Sequence, residues 1–263
     1  MNGNLKEINP ESITYYIEKN LDDFYNKSSE HQNFNLNKKD NISWVFAKNA
    51  DWPDCIFKAN FEKFKIKKEI LNVRKLIRKG KAPNGWTVGP LSIPKDLGEN
   101  LEKFGFSNVY QQSGMALELK NLNKIEIIDT NLIIEKVDNE ETLNDWSRIV
   151  SEVFNLRVDF DFLKFLYSQE EAHLYIGKFE QYPVSTLMLY LSSGVAGLHA
   201  VSTLPEYRGK GYGLAISRKA LIDAFNLGFY VGVLQASSLG ERVYKKLGFE
   251  KYCDILSYAL VNK

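Results

Sequence analysis

The sequence predicts a mixed α/β protein built from two related halves. Three observations support this prediction: strand and helix patterns alternate along the chain, they do so most regularly in the second half, and one pattern occurs near the end of each half. Of the 263 residues, 44% are hydrophobic and 13% are aromatic, which is ample material for a buried core. The length suits either one large domain or two of ordinary size.

The first third of the chain is predicted to be rich in helices. Residues 9–27 predict a helix capped by Ser12, and residues 40–49 predict a strand because apolar side chains recur at every second position. Residues 62–81 have apolar side chains at near-helical spacing and many lysines and arginines. They favour an amphipathic helix with a solvated basic face over a nucleic-acid surface. Proline and glycine then predict turns, followed by a helix from Asp96.

In the second half, the boundaries of the predicted strands and helices are clearer. After a polar separator at Leu119–Asn131, the pattern predicts strands and helices in the following order. A strand covers 132–137, helices 139–154 and 159–169, strands 173–179, 183–191 and 195–204, a helix 209–226, a strand 229–236, a helix 238–248 and a last strand 249–261.

One pattern is repeated between the halves. Residues 102–117 (EKFGFSNVYQQSGMAL) align without a gap with residues 245–260 (KKLGFEKYCDILSYAL), at an offset of 143 residues. A helix followed by Gly-Phe and a strand is also a common transition, so chance is the alternative to duplication. Duplication is the preferred interpretation and predicts two related domains, residues 1–125 and 126–263.

Composition excludes several classes of protein. The net charge of +1 gives no general attraction to nucleic acid, and no apolar run reaches the ~18 residues of a membrane helix. The N-terminus lacks the apolar core of a signal peptide. Two cysteines outside any CxxC pair and three scattered histidines disfavour a metal site and exclude a disulfide framework. We therefore expect a soluble, reduced, cytoplasmic protein without a metal.

A glycine-rich stretch follows an apolar strand. Residues 203–221 (TLPEYRGKGYGLAISRKAL) place three glycines and four basic residues before and within a predicted helix. The free N–H groups and partial positive charge of a helix N-terminus favour an anion, and glycines let a pyrophosphate approach the backbone. The Walker pattern GxxxxGK[ST] is absent, and the dinucleotide pattern GxGxxG fails because its third glycine would fall at Leu214. A loop that merely turns tightly is the remaining alternative.

Two stretches together resemble a known family. VSTLPEYRGKGYG (201–213) resembles the acetyl-CoA signature R/Q-x-x-G-x-G/A of the GNAT superfamily of N-acetyltransferases, with Arg208, Gly211 and Gly213 at the motif positions. LQASSLGERVYKKLGF (234–249) resembles the strand, tyrosine-bearing helix and L-G-F that follow in that family. The resemblance covers about half of the chain. It implies a mixed, mostly antiparallel sheet flanked by helices, in a tandem arrangement with a degenerate first domain.

The resemblance also assigns site residues. The strand end Val201, Ser202 and Thr203 would bind the pantetheine arm of acetyl-CoA. The pyrophosphate would lie on Arg208, Gly209, Lys210, Gly211, Tyr212 and Gly213. Ser237 stands where many relatives have a cofactor-binding asparagine, and this difference weakens that assignment. Tyr244 matches the tyrosine that protonates the departing thiolate, a role that suits a phenol with a pKa near 10; packing in the core is the alternative.

The acceptor amine must lose a proton. His199 lies on the strand of Val201 and Thr203, and strand alternation predicts that all three share one face unless a bulge intervenes. An ordinary histidine pKa suits a base, although a structural role is the commoner one for a single strand histidine. Glu152 is a weaker candidate, and the oxyanion would meet backbone N–H groups near Val201.

The resemblance implies an acetyl-CoA-dependent N-acetyltransferase that works by direct attack in a ternary complex. The expected partners are acetyl-CoA and a small-molecule amine, with no nucleic acid, membrane or metal. The oligomeric state stays open, a homodimer included. The first half lacks R-x-x-G-x-G and should not bind CoA. One alternative is a CoA-binding pseudoenzyme that senses acyl-CoA or binds a partner; a nucleotide-binding regulator lacks any recognisable base or ribose readout.

Overall fold

The central feature of the fold is a single mixed sheet. The computed structural model describes residues 3–39, 41–47, 49–124 and 130–261, and within these ranges it shows eleven strands and seven α-helices. The predicted domain boundary at residues 125 and 126 lies outside the described residues.

The strands are β1 (Asn35–Lys39), β2 (Ile42–Phe46), β3 (Cys55–Phe57), β4 (Trp86–Val88), β5 (Phe106–Glu118), β6 (Leu132–Lys136), β7 (Ala172–Phe179), β8 (Tyr182–Ser192), β9 (Val195–Thr203), β10 (Val231–Ala236) and β11 (Glu250–Leu260). The helices are α1 (Ile13–Ser28), α2 (Ile66–Arg78), α3 (Leu97–Lys103), α4 (Glu140–Phe154), α5 (Phe160–Tyr167), α6 (Tyr212–Asn226) and α7 (Ser238–Lys246). Short 3₁₀ turns occur at Lys63–Lys65, Leu119–Lys124 and Pro205–Tyr207.

The order of the strands is nearly the same in both directions from the centre. The order is β1-β2-β3-β4-β11-β5-β10-β9-β8-β7-β6, so each half contributes its last strand to the other half's side of the sheet. The pairs β3–β4 and β9–β10 are parallel, and the remaining pairs are antiparallel. The prediction of a mixed, mostly antiparallel sheet flanked by helices is therefore confirmed.

The central β5–β11 pair has a two-fold symmetric register. Applying the 143-residue offset to the pair Ser107–Ala259 gives the pair Ala116–Glu250, and both pairs are present. The two register shifts of this ladder, at Val109 and Tyr252, are also exchanged by the offset. The repeat seen in the sequence thus lies on both sides of a pseudo-two-fold axis, which supports duplication over chance.

Helix α1 belongs to the first half of the chain but packs on the sheet of the second half. Ile13 and Ile17 are fully buried against Val195, Val231 and Val233. Further along the helix, Phe24 joins a cluster with the side chains of α4 and α5, including Trp146 and Phe162. Ser12 occupies the N-cap position of α1, as predicted, but its side chain makes no capping hydrogen bond. This helix therefore covers the centre of the sheet from one face.

The structure differs from the predicted elements in the first half. Strands β1, β3 and β4 were not predicted, because β1 (NLNKK) is polar and the other two span three residues each. The predicted strand at 40–49 is confirmed in its centre as β2. Trp86 of β4 is fully buried in the core of the first half. Helix α6 begins at Tyr212 rather than at residue 209, since Gly209 and Gly211 have left-handed backbone angles.

Gly114 offers a test of the packing between α1 and the central strands. A Cβ at this position would overlap Sγ of Cys253 and lie 3.1 Å from Ile17 Cγ2. We expect Gly114→Ala to lower the free energy of unfolding by about 1–3 kcal/mol, the usual cost of overpacking. Urea unfolding of Gly114→Ala with and without Cys253→Ala checks this, because removing the sulfur should restore part of the loss. Equal stability of Gly114→Ala and the unaltered protein would contradict the packing described.

Candidate active site

The parallel strands β9 and β10 pair over a short distance only. Their ladder contains Ala196–Gly232, Gly197–Val233 and Leu198–Leu234, and both strands continue beyond it. A cavity of about 600 Å³ opens where the pairing stops. The predicted residues His199, Val201, Ser237 and Tyr244 all line this cavity.

A bulge in β9 separates two of these residues. Ala200 has a positive φ of 48°, and the register with β8 shifts between Thr186 and Met188. Val201 packs on the face of the sheet that holds Leu198 and α6, whereas His199 stacks on Phe24 on the opposite face. The expectation that His199, Val201 and Thr203 share a face is therefore wrong. A bulge also releases backbone N–H groups from the ladder, so it provides donors beside Val201.

His199 is buried and held by a single polar contact. Its Nε2 lies 2.8 Å from Asn20 Oδ1, while Asn20 Nδ2 donates to Tyr190 O at 3.1 Å and to Ser192 Oγ at 2.9 Å. Since the amide oxygen of Asn20 can only accept, Nε2 of His199 is the donor and Nδ1 carries the lone pair. Burial lowers the pKa of His199 to about 4, so the ring is neutral at pH 7.

Tyr244 is also buried, on α7. Its side chain is hydrogen-bonded to Ser217, and Ser217 Oγ also lies 2.7 Å from Gly213 O as a donor. Burial raises the pKa of the phenol above its ordinary value, so Tyr244 keeps its proton at any physiological pH. Its ring packs edge-on against Phe249, with centroids 5.7 Å apart. The residue thus contributes to the core and also lines the cavity.

The predicted anion-binding loop is a short connection with two glycines in the left-handed backbone region. Gly209 and Gly211 have φ values of 80° and 82°, which glycine adopts without strain. Arg208 Nε donates to Thr203 O at 3.1 Å, and Lys210 Nζ lies over the ring of Tyr207 at 5.0 Å. The first turn of α6 presents backbone N–H groups that have no partner within the helix.

Gly213 shows whether this loop fits a cofactor. It has helical backbone angles, and an added Cβ would meet only Thr203 Oγ1 at 3.8 Å, an ordinary contact. Packing within the protein therefore does not require glycine here, and the open space suits a phosphate close to the backbone. Tyr212 can contribute only its backbone, because its side chain is buried against Leu132 and Val184.

Two other predicted residues have clear structural roles. Ser237 is the N-cap of α7 and accepts a hydrogen bond from Gly240 N at 3.1 Å, while it also borders the cavity. Glu152 is exposed on α4, 3.9 Å from Arg148, and is not among the cavity-lining residues. Glu152 therefore lies on a solvated face of α4.

The first half has the same strand arrangement without the loop. Lys58, which follows β3, has a φ of 54°, like Ala200 in β9, and β3 pairs in parallel with β4 through Ile56–Trp86. The 3₁₀ turn Lys63–Lys65, however, runs directly into α2 at Ile66. In the second half, four residues separate the corresponding turn from α6. The first half was predicted to lack an anion-binding loop. In the structure it has no residues between the 3₁₀ turn and α2 that could form one.

Sequence reasoning did not identify the residues by which the first half lines the cavity. Leu21, Phe24 and Tyr25 of α1 line it, together with Trp52 and Thr87. The same helix buries two carboxyl groups behind this wall: Glu18, which accepts from Leu91 N at 2.6 Å, and Asp22. Burial raises the pKa of Glu18 to about 7 and that of Asp22 to about 8. The only sign of these buried carboxyl groups in the sequence is a run of polar residues between the apolar positions of α1.

Comparisons with known proteins agree with this geometry. Residues 138–249 match the acetyltransferase (GNAT) family. No curated protein matches the sequence. Among solved structures, a GCN5-related N-acetyltransferase from Kribbella flavida has a TM-score of 0.69 at 16% identity, over 90% of this chain and 95% of that one.

Two further structures share the fold over most of the chain. A GCN5-related N-acetyltransferase from Sphaerobacter thermophilus has a TM-score of 0.62 at 15% identity, covering 96% of this chain and 93% of that one. A tandem GNAT protein from the clavulanic acid biosynthesis pathway has a TM-score of 0.58 at 13% identity, over 84% and 79% of the two chains.

Two features are absent from the part of the chain that the structure describes. No helix in these ranges combines the length and apolar character needed to cross a membrane. The same part of the chain contains no group of three or more His, Cys, Asp or Glu side chains able to hold a metal ion.

Asp22 predicts how stability depends on pH. Because its pKa is about 8 in the folded protein and near 3.8 when unfolded, folding retains a proton that the unfolded chain loses, and stability falls as pH rises between these values. Asp22→Asn removes this dependence. We expect the free energy of unfolding of Asp22→Asn to exceed that of the unaltered protein by an amount that grows by about 1 kcal/mol per pH unit from pH 5 to 8 and then levels off. Urea unfolding across this range checks it, with exposed Asp161→Asn as the control; parallel curves for Asp22→Asn and the unaltered protein would contradict it.

Proposed function

We propose that this chain, whose residues 138–249 form an acetyltransferase domain of the GNAT family, transfers the acetyl group of acetyl-CoA to an acceptor amine in a ternary complex. One observation above all supports this: the opening where the pairing of β9 and β10 ends leads into a cavity lined by both His199 and Tyr244, and Ser217, which contacts Tyr244, donates to Gly213 O of the loop. The opening, an anion-binding loop, a proton acceptor and a proton donor thus belong to one site.

The residues that would hold acetyl-CoA follow from the geometry. Backbone N–H groups of residues 209–213 and the charges of Arg208 and Lys210 would bind the pyrophosphate. The edge of Val201, Ser202 and Thr203 that β10 does not pair with would bind the pantetheine arm, with Ser237 at the opposite side of the opening. When bound, acetyl-CoA supplies an acetyl group already activated as a thioester.

Two side chains of the cavity would carry the proton transfers. The acceptor nitrogen forms a bond to the acetyl carbon, the bond from carbon to sulfur breaks, and the sulfur leaves as a thiolate. Nδ1 of His199 accepts the proton from nitrogen, and the phenol of Tyr244 donates one to the thiolate. N–H groups released by the bulge at Ala200 would stabilise the oxyanion. Because the pKa of His199 is about 4, the ring is unprotonated above pH 6, and its protonation should not lower the rate in that range.

Direct attack is supported by the state of the cysteines. Cys55 is buried beside Thr87, and burial raises the pKa of its thiol to about 11. Burial likewise raises the pKa of Cys253 to about 12. Neither is among the cavity-lining residues. A thiol that stays protonated and does not line the cavity is a poor nucleophile, so an acetyl-enzyme intermediate has no support.

The first half completes the site without binding cofactor. We place the division between a degenerate domain, residues 1–125, and the acetyltransferase domain, residues 126–263. The symmetric register of β5 and β11 supports this division. The first domain would supply α1 and Trp52 as a wall of the acceptor cavity.

Gly213→Ala tests where the cofactor binds. The added methyl group should weaken acetyl-CoA binding about tenfold or more, because it fills the space next to the loop, while helix propensity should raise stability by up to about 1 kcal/mol. Calorimetric titration and thermal melting measure the two effects. Gly85→Ala, whose added Cβ would lie 3.6 Å from Asp54 O, is the control. Absence of acetyl-CoA binding to the unaltered, folded protein would refute the proposed function.

Tyr244→Phe tests the proton donor. We expect kcat to fall about 10²-fold, since a positioned general acid contributes 10²–10⁴, with little change in the Kd for acetyl-CoA. Steady-state release of CoA provides the measurement. Tyr175→Phe is the matched control, because Tyr175 is a buried tyrosine whose hydroxyl is hydrogen-bonded to Asp223 at 2.9 Å, away from the cavity. An unchanged kcat in Tyr244→Phe would remove Tyr244 from the mechanism.

A further inference from the structure

The wall of the cavity on the acceptor side is strongly aromatic. It combines rings from both halves of the chain, namely Phe24, Tyr25, Trp52, Tyr110 and Phe154. Aliphatic side chains of α1 and α4, such as Leu21, Val150 and Val153, fill the space between them. Such a surface gains the most binding free energy when it covers an apolar or aromatic group of the ligand, here called its body.

The same wall carries no formal charge. Among the described residues that line the cavity there is no Asp, Glu, Lys or Arg; its polar groups are hydroxyls and amides, such as Thr87, Gln112 and Ser257, with His199 as the one titratable imidazole. The carboxyl of Asp22 lies behind Tyr25, and burial raises its pKa to about 8. The wall is therefore neutral at pH 7.

A neutral wall discriminates strongly between amines. A polyamine or an aminoglycoside would bring several positive charges into the cavity without a partner, and an amino acid would bring an unpaired carboxylate. A single amine meets no such obstacle, because burial favours its uncharged form, which is the form that attacks.

We infer that the acceptor is a primary amine on a small aromatic body that carries no second charge. This inference rests on the proposed acetyl transfer and adds the substrate class to it. The cavity of about 600 Å³ must also admit the acetyl end of the cofactor, so the body is small. The hydroxyl and amide groups would accept or donate hydrogen bonds to a neutral substituent such as a phenol.

The test compares amines that differ in charge. Release of CoA from acetyl-CoA is measured with 2-phenylethylamine, tyramine, phenylalanine and spermidine. We expect kcat/KM to be at least about tenfold higher for 2-phenylethylamine than for phenylalanine, which has the same ring and an added carboxylate, or for spermidine. A preference for phenylalanine or spermidine would overturn the inference and leave the acetyl transfer intact.

Binding measurements distinguish a wrong acceptor class from a wrong proposed function. If acetyl-CoA binds but no amine is acetylated, saturation-transfer NMR with 2-phenylethylamine and the CoA complex decides, and absence of binding overturns the inferred acceptor. Failure of acetyl-CoA itself to bind refutes the proposed function instead.

A charged variant tests the neutral wall itself. Tyr110 lines the cavity and is 47% exposed, so Tyr110→Glu should fold. We expect it to lower the ratio of kcat/KM for 2-phenylethylamine over spermidine about tenfold. Tyr15→Glu is the matched control, since Tyr15 is 45% exposed on α1 and is not a cavity residue. An unchanged ratio in Tyr110→Glu, or an equal fall in both variants, would contradict the assignment.

A separate contact supports a second inference, about Asn20. This residue is fully buried on α1, and its amide oxygen reaches His199 directly above Gly197. A Cβ at Gly197 would overlap Asn20 Oδ1 and lie 2.7 Å from His199 Nε2. A glycine in the middle of β9 thus makes room for a contact between the two halves of the chain.

We propose that Asn20 is a positioning residue that holds His199 with its proton on Nε2, which keeps Nδ1 available as the proton acceptor of the proposed reaction. ¹⁵N NMR of histidine-labelled, unaltered protein tests it without any substitution. We expect the Nε2–H tautomer of His199 from pH 6 to 8; an Nδ1–H tautomer would overturn the proposal.

A variant distinguishes positioning from structure. In Asn20→Asp, a carboxylate would accept the same hydrogen bond and favour the imidazolium. We expect an acidic limb in the pH profile of kcat/KM that the unaltered protein lacks, together with a raised titration midpoint of His199 by NMR. A lower stability with an unshifted pH profile and midpoint would assign Asn20 a structural role only.

Discussion

The exchange of β5 and β11 between the halves is the constraint on which the rest of the structure depends. Each of these strands follows a helix and a Gly-Phe junction in its own half, and each then pairs with a strand of the other half: β5 with β10, and β11 with β4. The halves therefore share one sheet rather than touching along an interface. Because the sheet is continuous, α1 can extend across its centre and pack on Val195, Val231 and Val233. This placement brings Phe24 and Asn20 beside His199.

The two halves differ most where the anion-binding loop would lie. Both have a parallel strand pair and a left-handed residue at the corresponding point, Lys58 in one half and Ala200 in the other. Only the second half has the glycine loop between its 3₁₀ turn and the next helix. The first half instead directs the buried carboxyl of Glu18 at the backbone of Leu91 and against Gly89. In the proposed function, the second half therefore holds the cofactor and the first half supplies a wall of the acceptor cavity.

The sequence allowed prediction of much of the second half, because its elements are long and bounded by turns and because the glycine loop and the Tyr244 helix lie close together in the chain. Of the strands missed in the first half, β3 and β4 are too short to show a period, and β1 is polar. The face assigned to His199 was wrong because a bulge at Ala200 breaks strand alternation. The contacts of Asn20 and Tyr25 with the site join residues far apart in sequence, so no local pattern predicts them.

Hydrogen–deuterium exchange with and without CoA tests the central claim most directly, namely that one half binds the cofactor and the other does not. We predict that CoA slows exchange of the backbone N–H groups at 199–203 and 209–215, and leaves the corresponding segment of the first half, 58–68, unchanged. Protection of 58–68, or exchange at 209–215 that is unaffected by saturating CoA, would contradict the account.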